Sequence, residues 1–299
     1  MNKFAEKIRD IRLMRNLKQV DVCSILAGES NQFESIDTTT YSRWEKGIIV
    51  PAPIKQAAML DILGKLSSYD AIIPSVNKAK AKVHAELLHK LFPDDGVKTY
   101  FSDSEFKVLK TLPEIEDVLR DGRVYRHTHQ VVDDFSWLFD NYSLEEMVNS
   151  FEMELLGYYY DGLLINHVLL ATVPVESITN RVPNGEYFRS IIVKSSGTDY
   201  VNVLSSSVVT DLDFMHLSIA YICSKNFSNS NWLRSPTVSQ VHSYLWRKLF
   251  NLYGSKSLPA FIKHGQPCNY QIFEPYSFMT SFIIEKTYND NIDKIVRWI

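Results

Sequence analysis

Apolar residues recur at helical spacing through the first part of the chain and shift towards strand-like spacing near residue 157. Phe4, Ile8 and Ile11 mark the stripe of a helix from about Phe4 to Arg15, flanked by Lys3, Lys7, Arg12 and Arg15. Thr38 to Gly47 (TTTYSRWEKG) predicts a short helix, with Asp37 capping its free amides and Gly47 supplying the left-handed stop. Tyr41 and Trp44 sit three apart and face a core, which lets Thr38, Thr39, Ser42, Arg43 and Lys46 point away from it. After Pro51 and Pro53 another helix runs to about Gly64, and Ser67-Ser68-Tyr69 begins a linker. Val76–Phe92 is helical again, with Val83, Leu87, Leu88 and Leu91 along one side. That helix can pack on the N-terminal helices or form a dimer seam, and the pattern leaves both open.

Residues 93–142 read as irregular with short helical pieces, including a turn at Pro93-Asp94-Asp95-Gly96 and a helical turn or two over Pro113–Leu119. Ser143 with Glu146 is a capping box opening a helix towards Leu156. Tyr158–Tyr160 and Leu163–Val173 then form a hairpin about a tight Asp161-Gly162 turn. Phe188–Lys194 and Tyr200–Leu204 read as a second hairpin, and His216–Cys223 as a central strand. Pro236–Tyr253 carries a helical stripe of Val238, Val241, Leu245 and Leu249, stopped by Gly254. Leu258–Ile262 is expected as a strand, Tyr270–Phe273 as a helical turn, and Thr280–Lys286 as the last strand.

At 299 residues and 45% hydrophobic, the chain is long enough for two or three domains with cores of their own. The net charge of −3 does not advertise a polyanionic partner, but it is uneven: residues 1–90 carry about +4 and the remainder about −7. A basic first part on an acidic remainder suits a chain that sets only that part on nucleic acid. Cys23, Cys223 and Cys268 are odd in number, far apart and set in apolar contexts, which supports neither disulfides nor a zinc site. Cys23 is read as packing. His84 and His89 in HAELLH lack the spacing of a zinc-protease helix, and His127 and His129 alternate with Tyr125 and Val131 as in a strand, so no metal is expected. No leader-like N-terminus or membrane-length apolar run stands out, so a cytoplasmic protein is expected.

The run Ser42-Arg43-Trp44-Glu45-Lys46-Gly47 resembles the helix-turn-helix of the Cro-like (xenobiotic-response-element) phage repressor family. Other pieces match in order: Ile8, Arg9, Ile11, Arg12 and Arg15; Leu17-Lys18-Gln19 entering the second helix; Val22, Cys23, Ile25, Leu26 and Ala27 on its buried face; Pro51 opening the fourth helix; and Met59, Ile62 and Leu63 packing. The likeness covers roughly the first 66 residues and implies DNA binding in the major groove, as a dimer on a two-fold symmetric operator. It places Thr38, Thr39 and Arg43 at base-reading positions, Thr40, Ser42 and Lys46 beside them, and Gln19 as a phosphate clamp. Arg43 contacts a guanine or only a phosphate, and the cationic flank of the first helix is either solvated or set on phosphate. Glu45 is expected to pair with an arginine of the first helix. Glu29–Ser35 (ESNQFES) is extra relative to the family; it either lengthens the second helix or bulges away from DNA, with Glu29 and Glu34 turned from phosphate.

From 143 to about 290 the expected order of meander, central strand, helix, strand, short helix and strand resembles the second part of the GCN5-related N-acetyltransferase fold. Phe273-Glu274-Pro275-Tyr276-Ser277-Phe278 overlays the family's closing Tyr-x-x-x-Gly-Phe. In active members a glycine-bearing turn after the central strand holds the pyrophosphate of acetyl-CoA. The stretch aligned with it here, Lys225–Ser235, has no glycine, and Phe273 stands where the general-acid tyrosine would be. Together these losses argue for a non-catalytic domain. Arg234 and Tyr276 remain as candidate ligand-binding residues. No Gly-x-Ser-x-Gly elbow, Walker loop or Ala-Gly cleavage site fills the gap.

The expected protein is multidomain: an all-α helix-turn-helix domain at 1–66, a helical connector at 67–142, and an α+β, acetyltransferase-like sensing and dimerisation domain at 143–299. The expected function is transcriptional regulation, by repression as the family default, as a homodimer on double-stranded DNA with a small-molecule or protein effector and no cofactor or membrane. The rival readings are a DNA-tethered acetyl-CoA-dependent N-acetyltransferase and an antitoxin or adaptor that clasps a partner protein.

Overall fold

Four helices near the N-terminus bury their apolar stripes against one another, and the computed structural model carries the chain from there into a mixed helix-and-sheet region. It describes residues 2–67, 69–70, 72, 78–93, 104–120, 142–179, 189–190, 199–205, 211–241, 243–263 and 266–299. Helices α1 (Lys3–Met14), α2 (Gln19–Glu29), α3 (Thr38–Glu45) and α4 (Pro53–Ile62) surround Phe4, Ile8, Leu26, Tyr41 and Met59, all inaccessible to solvent. The fourth helix opens on Pro53 rather than Pro51, because a proline at the first helical position loses no bond. The extra segment does two things: α2 runs on to Glu29, and a 3-10 turn over Asn31–Phe33 drops Phe33 into the core. Glu29 and Glu34 stay on the surface.

One residue of the segment expected to be a linker, Tyr69, is firmly held. Tyr69 is buried, meets Phe227 and Tyr288 edge-on, and donates its hydroxyl to Cys223 Sγ at 3.4 Å. Helix α5 (Lys78–Leu91) then packs against α11 (Tyr244–Leu252) in the sheet region rather than on the N-terminal helices. Phe92 meets Trp246 edge-on, and His84 Nε2 lies 3.1 Å from the Tyr253 hydroxyl. Val83, expected on the buried side, is exposed.

The mixed sheet runs in the order β1 (Glu105–Leu109), β2 (Glu154–Tyr160), β3 (Leu163–Pro174), β4 (Tyr200–Ser205), β5 (Thr237–Val241), β8 (Gln266–Phe273) and β6 (Lys256–Ser257), with β7 (Phe261–Lys263) also on β8. Strand β1 (Glu105–Leu109) falls in the stretch expected to be irregular, and is followed by α6 (Leu112–Arg120). The capping box at Ser143 and Glu146 opens α7 (Leu144–Ser150). The expected hairpin is present: β2 (Glu154–Tyr160) and β3 (Leu163–Pro174) pair antiparallel through Asp161 and Gly162, both at positive φ. A short helix α8 (Val175–Thr179) leads away, and β4 (Tyr200–Ser205) pairs antiparallel with β3. Of the second expected hairpin, only this arm lies among the described strands; most of the other lies outside the described residues, as do His127 and His129.

Several later expectations are overturned. His216–Cys223 is helix, part of α9 (Leu212–Ser228), capped by Asp211 through the Phe214 amide at 2.8 Å. Because α9 is buried on nearly every side, its run of apolar residues has no helical period to read. After α10 (Ser230–Arg234), residues expected to start a helix form β5 (Thr237–Val241), parallel to β4 and antiparallel to β8; α11 starts only at Tyr244. Sheet burial on both faces gave Val238 and Val241 an apolar spacing that also fits a helix. Of the strand expected over Leu258–Ile262, only Phe261 and Ile262 are strand, in β7 (Phe261–Lys263), and a separate short strand β6 (Lys256–Ser257) ends just before the expected start. Tyr270–Phe273 belongs to β8 (Gln266–Phe273), and Thr280–Lys286 is replaced by helix α12 (Phe282–Ile295), which packs along α9. The α+β composition of the second part therefore stands, with its elements placed differently.

Candidate functional site

The sequence of α3 divides its surface cleanly. Asp37 accepts the Thr40 amide at 2.6 Å, a bond that holds its carboxyl below the usual range, and Gly47 closes the other end at φ +70°. Tyr41, Trp44 and Glu45 face inward; Thr38, Thr39, Arg43 and Lys46 are exposed, while Thr40 and Ser42 are half-buried on the flank. Glu45 fixes the helix to its neighbours: Arg12 Nε donates to it at 2.7 Å, and Gln19 Nε2 also donates to it. The arginine partner expected for Glu45 is thus Arg12, which also donates to the Leu17 carbonyl. Arg15 donates to the Leu63 carbonyl at 2.8 Å. Two of the four cations on the α1 flank therefore hold the helices together, while Lys3 and Lys7 remain exposed. Gln19 keeps one amide hydrogen beyond the one given to Glu45.

Arg234 and Tyr276, read as ligand-binding candidates, are brought together, but on a residue the sequence reading passed over. Arg234 Nε donates to Asp61 Oδ2 at 2.6 Å, and the Tyr276 hydroxyl donates to the same oxygen at 2.9 Å. Asp61 lies on α4 and its side chain is 6% exposed, so the pair satisfies a carboxylate that burial would otherwise penalise. The signal was present: Asp61 interrupts the apolar run Ala57-Ala58-Met59-Leu60-Asp61-Ile62-Leu63, where a lone acid requires a partner. Burial of Tyr276 and the Asp61 charge push its hydroxyl pKa up, so it remains a donor.

Local structure sets both partners. Asn229 caps α10 through the Trp232 amide, and fully buried Asn202 on β4 donates to the Trp232 carbonyl at 2.7 Å and the Ser235 carbonyl at 3.3 Å. This anchors α10, and Arg234 with it, to the start of the β4–β5 pair. Tyr276 sits at φ +65°, a left-handed backbone that side chains rarely adopt, in the turn after β8. Phe273, the residue at the family's general-acid position, is buried on β8.

Beside this joint lies a cavity of about 440 Å³. Met215 and Ile219 of α9, Trp246 and Phe250 of α11, Phe273 and Tyr276 form much of its wall. Elsewhere, burial pushes the Cys223 thiol up to about 12, so it stays protonated. Among the described residues no group of three or more His, Cys, Asp or Glu could hold a metal, and no helix is long and apolar enough to cross a membrane. No protein-family model matches this chain, and no curated protein matches it significantly.

Proposed function

We propose that the chain is a sequence-specific DNA-binding transcriptional regulator, built as a Cro-like helix-turn-helix domain, a helical connector and a non-catalytic, acetyltransferase-like sensing domain, and acting in the cytoplasm as a dimer. The observation that carries this reading is the division of α3: Thr38, Thr39, Arg43 and Lys46 are exposed on a helix whose other face is held by Tyr41, Trp44 and Glu45. Such a helix offers methyl groups and a guanidinium to base edges while its backbone is fixed by the core. Selection from a random double-stranded DNA library with the full chain tests it. A palindromic motif is expected, abolished by Thr39→Ala with Arg43→Ala; no enriched motif sinks the proposal. Arg43→Ala alone should cost roughly 1–3 kcal/mol of binding and relax one or two base positions.

The acetyltransferase reading draws on one observation. Taken on the observed elements, the order of meander, strand, helix, strand, helix and strand falls on β1–β4, α9, β5, α11 and β6–β8, with a parallel β4–β5 pair inside an otherwise antiparallel sheet. In that register the phosphate-holding turn lies between β4 and α9, not at Lys225–Ser235. The sequence there, Ser206-Ser207-Val208-Val209-Thr210, still has no glycine. Asp211 also sets a carboxylate on the first turn of α9, where a pyrophosphate would be repelled. We therefore assign the fold resemblance without the activity. Protection by acetyl-CoA against thermal unfolding would reverse that assignment.

A further inference from the structure

The cavity beside the Asp61 joint shares two walls with it. Tyr276 lines the cavity and reaches Asp61 with its hydroxyl, and Leu233, another lining residue, immediately precedes Arg234. Its volume falls within the span of small-molecule sites, which are mostly apolar with a few polar groups to orient the ligand. Ser218, Ser235, Thr237, Ser239 and Ser243 are among the lining residues, and the buried Ser218 Oγ has no hydrogen-bond partner within the protein. Among the described lining residues there is no Lys, Arg or His, and the one acid, Glu274, is engaged by Lys256. A phosphate-bearing ligand such as coenzyme A would find no counter-charge here.

We infer that this cavity is an effector site for an uncharged, largely apolar molecule of two or three rings with one hydrogen-bonding group, and that its occupancy sets the Tyr276–Asp61 contact and hence the seat of α4. The coupling follows from geometry. The Tyr276 hydroxyl is rigidly bonded to its buried ring, so a ligand that displaces the ring carries the hydroxyl, and its 2.9 Å bond to Asp61, along with it. Through Asp61, Tyr276 and Arg234 both bond to α4, and α4 packs in one core with α1, α2 and α3. A ligand that favours one arrangement of the joint therefore shifts the population of the other. The DNA-level consequence rests on the regulator reading; the site and its coupling to α4 do not.

The test uses the full chain with N-phenyl-1-naphthylamine, an uncharged fluorescent probe with two linked aromatic units and one N–H. Ser218→Leu fills the wall, and Ser243→Trp obstructs the mouth from an exposed position whose side chain makes no capping bond, so folding is spared there. Saturable probe binding is expected, weakened about tenfold or more by each substitution, and not displaced by coenzyme A. The probe should change hydrogen exchange of the α4 amides in the unaltered chain. Tyr276→Phe, which keeps the ring, should still bind the probe but lose that response. On selected DNA the probe should shift affinity about fivefold or more, and not in Tyr276→Phe. Absent binding, cavity variants that bind like the parent, displacement by coenzyme A, or α4 exchange indifferent to the probe each overturn the inference. If no form binds DNA while α4 still responds, the regulator reading fails and the effector site stands.

Discussion

Helices α3 and α9 solve opposite problems. The first is eight residues long, capped by side chains at its start and a glycine at its end, and wet along one side. The second has seventeen residues, of which twelve consecutive-to-near-consecutive positions from Phe214 to Asn226 are buried, so it is enclosed by the sheet on one side and α12 on another. In α3 the core needs only Tyr41, Trp44 and Glu45, and the remaining positions are released for contact with something outside the molecule. In α9 only Asp213 and Ser228 are exposed: Phe214 stacks on Tyr158 and tilts against Phe106, Cys223 receives Tyr69, and Lys225 pairs with Glu154 at 3.0 Å. The difference teaches where each part can change. A surface helix tolerates substitution in stability and answers in recognition, and an enclosed helix does the reverse.

The largest effect should come from the enclosed helix. Phe214→Ala removes a fully buried ring and is expected to cost about 3–5 kcal/mol in urea unfolding; a loss under about 1 kcal/mol would mean that α9 is not the packed centre described. Next is the hidden side of α3. Glu45→Ala removes the carboxylate that Arg12 and Gln19 share and should destabilise the fold by about 3 kcal/mol, whereas Glu45→Gln, which keeps an acceptor, should cost less.

A smaller effect is tied to pH. Burial, and then the neighbouring His216, push the His84 imidazole down from 6.5 to about 4. The unfolded chain therefore takes up a proton that the folded chain refuses between those values. Stability from this source is complete above pH 6.5 and falls as pH drops towards 4, by roughly 1–2 kcal/mol once the partial exposure of the ring is allowed for. Unfolding midpoints of the parent and His84→Gln should converge towards pH 4; parallel pH profiles would remove His84 as the cause. The smallest effect should be Thr39→Ala on the wet side of α3, within about 0.5 kcal/mol in stability, with its cost appearing only in DNA affinity.

The same contrast explains what could be read from the chain. Asp37, Gly47, Tyr41 and Trp44 announce α3 because a helix with one solvent face must alternate, and the Asp161-Gly162 turn announces its hairpin because two successive left-handed residues admit few side chains. Enclosure erased the signal in α9, where strand and helix both present an unbroken apolar run, and in β5, where two buried faces mimic a helical stripe. The Asp61 joint was half legible. Arg234 and Tyr276 stood out as candidate ligand-binding residues, but the partner they share lies 173 and 215 positions away, and only the fold could introduce them.

That joint also bears on how such a protein can be rearranged. Met59 of α4 and Leu63 just after it share one continuous core with Met215, Ile219 and Tyr276. A cut after residue 66 would leave the four-helix fragment with an oily underside and, in its midst, the bare carboxylate of Asp61. Transplanted onto an unrelated partner, these helices would carry that defect with them. The unit that can be shuffled intact is therefore the four helices together with the surface that answers Asp61.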